Sequence, residues 1–308
     1  MFETPVLFLV FNRLDATKRV FAGIRDVQPK YLFIAADGPR NLVAGEAEKT
    51  EAVRNYILEH IDWPCEVKTL FRDTNLGCGK AVSGAITWFF EHVEEGIILE
   101  DDTLPSKSFF PYCEELLHRY RDDSRIGMIS GNNFQLVPPG KYDYIFTKYV
   151  SIWGWATWKR AWSLYDYNMN SYRQQPKETE DLLRNTFGPE EMAARSRIFA
   201  ATAEGKIDTW DHQWFFCCLL HHLLTIVPAS NLISNIGFGE DATHTTDATG
   251  NHMHLQTCDL HFPLKHPSFI VRSEQYENAL NRERRKKTNP PSLTIRWAQK
   301  LKTWLHPQ

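Results

Sequence analysis

The chain has 308 residues, of which 43% are hydrophobic, and its formal net charge at pH 7 is −3. This length suffices for one large α/β domain or two small ones, and the composition is that of a globular chain rather than a disordered or membrane-embedded one. The small net charge argues against non-specific binding of nucleic acid.

The first residues run directly into an apolar segment, without the basic and apolar regions of a signal peptide. No stretch reaches the roughly 18 apolar residues that cross a bilayer. The six cysteines are scattered without CxxC pairs, which indicates reduced thiols in the core. We therefore expect a cytoplasmic protein.

Short apolar runs alternate with segments of helical periodicity along the first 130 residues. Strands are predicted over residues 6–11, 31–36, 66–71 and 96–99, and helices over 15–27, 46–61 and 80–92. This alternation predicts an α/β fold with a mostly parallel central sheet and helices on both faces. The later elements are a helix over 109–120, a strand over 126–130, a tight loop over 153–158, surface helices within 174–197 and an apolar helix over 213–224.

Polar residues follow three of the predicted strands directly. They are Asn12-Arg13, Asp37-Gly38 and Glu100-Asp101-Asp102. Because ligands bind outside the carboxyl ends of the strands in such sheets, we expect these residues to share one rim.

Three consecutive acids after a buried strand are costly unless a cation neutralises them, because like charges at close range raise each other's pKa. A divalent cation would do so, since carboxylate oxygens are preferred ligands of Mg²⁺ and Mn²⁺. The alternative is that Asp101 or Asp102 caps a following turn, which would explain one acid and not all three. We favour the metal site.

The segment Gly96-Ile97-Ile98-Leu99-Glu100-Asp101-Asp102, followed by Pro105 and Phe109-Phe110, resembles the acidic motif of N-acetylglucosaminyltransferase I-like enzymes. Those are inverting glycosyltransferases of GT-A fold, and bacterial nucleotide-diphospho-sugar transferases share the pattern. The resemblance extends in islands over residues 5–245. The other islands are Phe11-Asn12-Arg13, Ala36-Asp37-Gly38, the helix over 79–90, Gly154-Trp155 and Trp210-Asp211.

The resemblance implies a role for each matching residue. Arg13 and Asp37 would hold the uracil and neighbouring parts of the donor nucleotide, and Glu100 and Asp101 would contact its ribose or sugar. Asp102 would coordinate a Mn²⁺ or Mg²⁺ ion that bridges the diphosphate. The donor-binding set also includes two further residues in matching segments, Asn12 and Lys80.

The same resemblance places the catalytic base at Asp211. An inverting transfer needs a carboxylate to accept the proton of the attacking hydroxyl, and Asp211 lies between Trp210 and Trp214 at the start of an apolar helix. An ordinary helix N-cap is the alternative role for Asp211, and Asp208 is the nearest competing carboxylate.

Two further candidates come from the second half. Trp155 is our choice for a wall against the donor sugar or acceptor, because the adjacent Gly154 permits close approach; Trp153 and Trp158 fit core packing equally well. His244, in a glycine-containing loop, is a second metal-ligand candidate, although a lone histidine is more often structural. The later histidines, His252, His254, His261 and His266, match no zinc spacing, and we reject them as a metal site.

We expect a GT-A-like domain over residues 1–270, with a nucleotide-binding half over about 1–130 and an acceptor half over about 131–270. A basic tail or helix would follow over 271–308. Within it, Leu293, Trp297, Leu301 and Trp304 recur near helical spacing among basic residues. That pattern fits peripheral contact with the inner face of a membrane and a packed terminal helix equally well.

Together with the resemblance, these features predict an inverting, metal-dependent glycosyltransferase of the hexosyl- or N-acetylhexosaminyltransferase type. It would move a sugar from a nucleotide-diphospho-sugar, which we expect to be a UDP-sugar, to a hydroxyl of a glycan or lipid-linked acceptor. The alternatives are a sugar-nucleotide nucleotidyltransferase, a non-catalytic carbohydrate-binding protein and a two-carboxylate glycoside hydrolase. The first of these would carry a glycine-rich basic loop after the first strand, where this chain has Phe11-Asn12-Arg13-Leu14-Asp15.

Overall fold

The computed structural model describes residues 2–134, 136–137, 140–237 and 255–288, and within these ranges the chain forms ten strands and ten helices. The strands are β1 (Val6–Val10), β2 (Tyr31–Ala36), β3 (Glu66–Phe71), β4 (Glu95–Glu100), β5 (Thr103–Pro105), β6 (Ile126–Ser130), β7 (Tyr144–Thr147), β8 (Trp155–Trp158), β9 (Leu224–Pro228) and β10 (Ile233–Asn235). The helices are α1 (Leu14–Val27), α2 (Glu46–Glu59), α3 (Gly77–His92), α4 (Phe109–Arg119), α5 (Lys159–Trp162), α6 (Asn170–Gln174), α7 (Pro176–Thr186), α8 (Pro189–Ala203), α9 (Asp211–Leu220) and α10 (Glu274–Thr288).

Eight of the strands form one sheet in the order β3-β2-β1-β4-β8-β6-β9-β7. The first four are parallel, while β8 and β7 run antiparallel to their neighbours. In the register, Val10 pairs with Ala36, and Ala36 pairs with Phe71. The carboxyl ends of β1, β2 and β3 are therefore level with one another, and the loops that follow them meet at one rim.

Both faces of the sheet are covered, which explains the continuous apolar runs of its central strands. Phe8 belongs to one buried cluster with residues of α1, α2 and α4, whereas Leu7 and Leu9 belong to another with residues of α3 and α9. The predicted α/β class, a large and mostly parallel sheet flanked by helices, is confirmed.

Two local predictions need correction. The tight loop predicted over residues 153–158 is strand β8, whose four residues are all buried between β4 and β6. Helix α3 begins at Gly77 rather than at residue 80, because its first amide groups are capped by a distant aspartate, described below. The burial of β8 and the capping of α3 both depend on residues that are distant in sequence, and not on the local sequence pattern.

Part of the predicted basic tail packs on the domain as α10. Tyr276 and Leu280 are buried in the core, and Arg284 and Arg285 form ion pairs with Glu191 and Glu190 of α8. Two charges of the basic run are thus neutralised within the chain. The amphipathic segment over 293–305 lies outside the described residues. No helix among those described is long and apolar enough to cross a membrane.

Candidate active site

A cleft of about 410 Å³ opens at the carboxyl ends of β1, β2, β3 and β4. It brings together residues from distant parts of the chain, including most of the predicted site. The polar residues that line it are Arg13, Asp37, Arg40, Arg72, Asn75, Glu100, Asp101, Asp102, Asp208, Thr209, Asp211 and Asn235.

The acidic triplet at the end of β4 is held by one arginine. Arg13 Nη2 donates to Asp101 Oδ1, and it also donates to Asp102 Oδ2 at 2.9 Å. The second oxygen of Asp101, Oδ2, is buried and has no hydrogen-bond partner among the described residues. Three carboxyl groups therefore face a single cation, which leaves the cluster short of positive charge.

The electrostatic cost of this arrangement appears in the pKa values of the acids. Burial, followed by the charges of Asp102 and Asp101, raises the pKa of Glu100 from 4.5 to about 8. Burial also raises the pKa of Asp101 from 3.8 to about 6, although the charge of Arg13 acts against it. Such shifts mark a site that gains from a further cation.

These shifts predict how stability depends on pH in the absence of metal. Because folded Glu100 holds a proton between about pH 4.5 and 8 that the unfolded chain has released, its contribution to stability is lost as the pH rises through that range. We expect Glu100→Gln to raise the free energy of unfolding at pH 8 by on the order of 2 kcal/mol, and to leave it nearly unchanged at pH 4.5.

Urea unfolding of the metal-free protein at both pH values measures this effect. Glu94→Gln is the matched control, because the Glu94 side chain is 83% exposed and pairs with Lys159 at the surface. Equal stability of Glu100→Gln and the wild type at pH 8 would contradict the prediction.

The predicted donor-binding residues Asn12 and Asp37 lie at the rim, but each has partners within the chain. Asn12 Nδ2 donates to Glu46 Oε1 at 2.9 Å, which ties the end of β1 to the start of α2. Asp37 accepts hydrogen bonds from the amides of Gly38 and Leu76, at 3.0 to 3.1 Å. Asp37 lines the cleft, whereas Asn12 supports its wall.

Asp211 is the first residue of α9 and lines the same cleft as the acidic triplet. Its side chain is 32% exposed, accepts a hydrogen bond from Thr209 Oγ1 and lies 3.5 Å from His212 Nδ1. The N-cap position belongs to Trp210, so the alternative role of Asp211 as an N-cap does not apply. The competing Asp208 instead accepts hydrogen bonds from the amides of Cys78 and Gly79.

Two residues predicted to contact the donor or acceptor do not line the cleft. Trp155 is 1% exposed and stacks on Trp210 with ring centroids 5.6 Å apart, so it lies in the core behind the cleft. Trp153 lines the cleft instead. Lys80 is exposed and outside the lining, because the face of α3 toward the cleft carries Cys78, Ala81, Val82 and Ala85.

Gly154 does permit a close approach to its backbone, but the group that approaches is another residue of the protein and not a ligand. It has a φ of +59°, and a Cβ there would lie 2.5 Å from Ile233 Cδ1. His244 lies outside the described residues, so its role as a metal ligand stays a prediction. His266 bonds Tyr144 and Glu115, away from the cleft.

Sequence reasoning missed Arg72, which follows β3 and lines the cleft. Burial lowers its pKa, and its side chain makes no hydrogen bond or ion pair with any residue that the structure describes. Its backbone is fixed, since Arg72 N donates to Ala36 O and Arg54 Nη2 donates to Arg72 O at 2.7 Å. The only signal for Arg72 in the sequence was that a basic residue directly follows the third predicted strand.

Gly237 was also missed. A Cβ at this position would lie 2.1 Å from Asp102 Oδ2 and 2.8 Å from Arg13 Nη1. Any side chain here would displace the ion pair, so only glycine lets the chain pass over the acidic triplet.

No protein-family model matches the chain, and no curated protein does. Among solved structures, it is similar to the inositol-1-phosphate CTP transferase from T. maritima, with 10% identity and a TM-score of 0.39 over 74% of this chain and 86% of that one. It is similar to TarS from S. aureus, with 10% identity and a TM-score of 0.38 over 74% and 59% of the two chains. For mouse xyloside xylosyltransferase 1 the identity is 13% and the TM-score 0.34, over 72% and 83%.

Proposed function

We propose that the protein is an inverting, divalent-metal-dependent glycosyltransferase of GT-A type that uses a nucleotide-diphospho-sugar. The observation that carries this proposal is that the acidic triplet and Asp211 line the same cleft. The acidic triplet would hold a metal-bound diphosphate, and Asp211 would offer a carboxylate for the acceptor. Inversion requires the leaving group and the nucleophile to lie on opposite faces of the sugar, so the sugar would lie between these two groups.

In the proposed reaction, Asp211 accepts the proton of the acceptor hydroxyl while that oxygen attacks the anomeric carbon. The bond between this carbon and the diphosphate oxygen breaks, and the electron pair leaves with the nucleoside diphosphate. Thr209 Oγ1 donates to Asp211 Oδ1, which orients the carboxylate. The other oxygen, Oδ2, lies 3.5 Å from His212 Nδ1 and would receive the proton. Trp153 also lines the cleft, where its ring would offer an apolar face for a sugar.

The residues fit a divalent cation. Asp102 would hold it, with Glu100 and Asp101 supplying further negative charge, and Asp101 Oδ2 is an unsatisfied acceptor beside the site. Among the described residues, no group of three or more His, Cys, Asp or Glu side chains is arranged to hold a metal ion. In the proposed site Asp102 would be the main protein ligand, because Mg²⁺ or Mn²⁺ would bind one or two carboxylates and take its other ligands from phosphate and water. When bound, such an ion neutralises charge that develops on the departing diphosphate.

The nucleotide would extend from the acidic triplet toward β2 and β3. Asp37, Arg72 and Asn75 line that part of the cleft, and Arg72 is the cation there that lacks a partner among the described residues. We propose a UDP-sugar of the hexose or N-acetylhexosamine class as donor. We further propose a glycan or lipid-linked acceptor and a cytoplasmic location, whereas contact of the basic tail with a membrane stays a prediction beside the alternative of a packed helix.

The alternative of a sugar-nucleotide nucleotidyltransferase is less well supported. Such an enzyme would need free backbone and basic donors for a triphosphate after β1, but Arg13 at that position is committed to Asp101 and Asp102. A glycoside hydrolase or a carbohydrate-binding protein would need neither nucleotide nor metal.

Metal-dependent binding of a nucleoside diphosphate tests the proposal. We expect UDP with Mn²⁺ to raise the melting temperature by several degrees, since ligand at 100 times its Kd adds about 2.7 kcal/mol. EDTA should abolish this shift in melting temperature, and UDP without metal should produce only a small shift. A panel of UDP-hexoses and UDP-N-acetylhexosamines, read by UDP release, then identifies the donor. If no nucleotide or nucleotide-sugar binds with metal present, the proposed function is wrong.

A further inference from the structure

The amino terminus of α3 is capped by a carboxylate from a distant part of the chain. The amide of Cys78 donates to Asp208 Oδ2 at 3.0 Å, and the amide of Gly79 donates to Asp208 Oδ1 at 2.9 Å. The partners lie 130 and 129 residues apart in sequence. A negative charge at this end of a helix is favourable, because the unpaired amides carry partial positive charge.

Two glycines make room for this contact. A Cβ on Gly77 would lie 2.5 Å from Asp208 Oδ2, and Gly77 has a φ of +79°. A Cβ on Gly79 would lie 2.7 Å from both Asp208 Oδ1 and Thr209 O. The segment that contains Asp208 and Thr209 is therefore pressed directly against the first turn of α3.

The same segment leads directly to Asp211, the proposed catalytic base. Thr209 follows Asp208, and its hydroxyl donates to Asp211 Oδ1. Thr209 O accepts a hydrogen bond from Gln213 Nε2 at 2.8 Å, and Trp210 O accepts one from Tyr165 at 3.1 Å. Of these attachments, the one made by Asp208 joins the start of α9 to α3, a helix whose residues also line the cleft.

We propose that Asp208 is a positioning residue, which fixes the base Asp211 relative to the donor by holding the start of α9 against α3. This inference rests on the proposed function. The carboxylate of Asp208 acts through Thr209 and Asp211 and takes no proton itself. Because reactivity depends steeply on the distance between the reacting atoms, loss of this contact should lower turnover more than donor binding.

The test measures UDP release from the active UDP-sugar, with Mn²⁺, by Asp208→Ala and Asp208→Asn. We expect Asp208→Ala to lower kcat about tenfold and to change the KM of the donor less than about twofold. Asp208→Asn keeps one acceptor oxygen for an amide and should recover part of the loss. The control is Asp166→Ala, which removes another aspartate that accepts backbone amides, those of Asn168 and Asn170, outside the cleft lining.

Gly79→Ala tests the same contact from the other side. Its Cβ should displace Asp208 and also meets the backbone oxygen of Thr209, so we expect a fall in kcat at least as large as that of Asp208→Ala. The double variant Gly79→Ala with Asp208→Ala should be hardly worse than Gly79→Ala alone. Losses in kcat that multiply, or a rise in the KM of the donor that accounts for the whole effect, would overturn the inference.

The two hypotheses fail in different ways. An active wild type whose Asp208→Ala variant keeps its kcat overturns the positioning role and leaves the proposed function intact. A wild type that neither binds nor cleaves any UDP-sugar overturns the proposed function, and the positioning role with it.

Discussion

We expect Asp211→Asn to lower kcat for sugar transfer by about 100- to 10,000-fold while the KM of the donor stays close to that of the wild type. The amide has nearly the shape of the carboxylate and still accepts the hydrogen bond from Thr209, but it cannot take up the proton of the acceptor. The loss should therefore fall on the chemical step and not on binding of the nucleotide.

Steady-state kinetics of transfer, together with calorimetry of UDP and Mn²⁺ binding, separates these two effects. Asp102→Asn is the informative companion, because it should weaken the metal-dependent binding that Asp211→Asn leaves intact. If Asp211→Asn keeps full transfer activity while Asp102→Asn loses it, the metal site stands and the assignment of the base is wrong.

The first half of the fold was predictable because its signals are local. Continuous apolar runs predicted strands β1, β2 and β4 with nearly correct ends, since strands covered on both faces cannot tolerate polar residues. The rim followed from the same pattern, because the carboxyl ends of parallel strands align. This placed Arg13, Asp37 and the acidic triplet in one cleft.

The second half was less predictable because its structure depends on distant contacts. The residues of β8 read as a loop, since Gly154 suggests a turn and three tryptophans within 153–158 suit no particular element. Their place between β4 and β6 buries them completely. For the same reason Trp155, chosen as a wall of the site, lies behind it and Trp153 lies within it.

Three residues of the site have surroundings that the sequence did not predict. Two of them, Asp208 and Gly237, have partners that are far away in sequence. The third, Arg72, has no hydrogen-bond or ion-pair partner among the described residues. Neither property produces a local sequence motif. Asp208 caps a helix from 130 residues away, and Gly237 matters only because Asp102 and Arg13 lie beneath it. Sequence periodicity predicts which strand ends meet at the edge of the sheet, whereas the side chains that complete the site are identified only by the three-dimensional structure.

Arg72 carries the second large prediction, because its position limits what it can bind. Strands lie about 4.8 Å apart, so β3 and β4, with β2 and β1 between them, are separated by about 14 Å. Arg72 follows β3 and Asp102 follows β4, and the carboxylate whose charge acts on Arg72 is Asp37 at the end of β2, so we expect Arg72 to lie beyond the phosphate beside Asp102. It should instead contact the nucleoside part of the donor, where a guanidinium group can donate to a base carbonyl.

We expect Arg72→Met to weaken binding of UDP with Mn²⁺ by about 10- to 100-fold, the value of one or two hydrogen bonds from a charged donor. Binding of inorganic pyrophosphate with Mn²⁺ should be unchanged, because pyrophosphate has no nucleoside. The melting temperature of the ligand-free variant should stay the same or rise, since the variant removes a partly buried cation that has no partner in the described ranges.

Calorimetry with both ligands and thermal unfolding without ligand measure these effects. Arg25→Met is a suitable control, because Arg25 pairs with Asp62 on the exposed surface and lies outside the lining of the cleft. An equal loss of UDP and pyrophosphate binding would place Arg72 at the diphosphate instead. If UDP binding is unchanged, Arg72 does not contribute to donor binding.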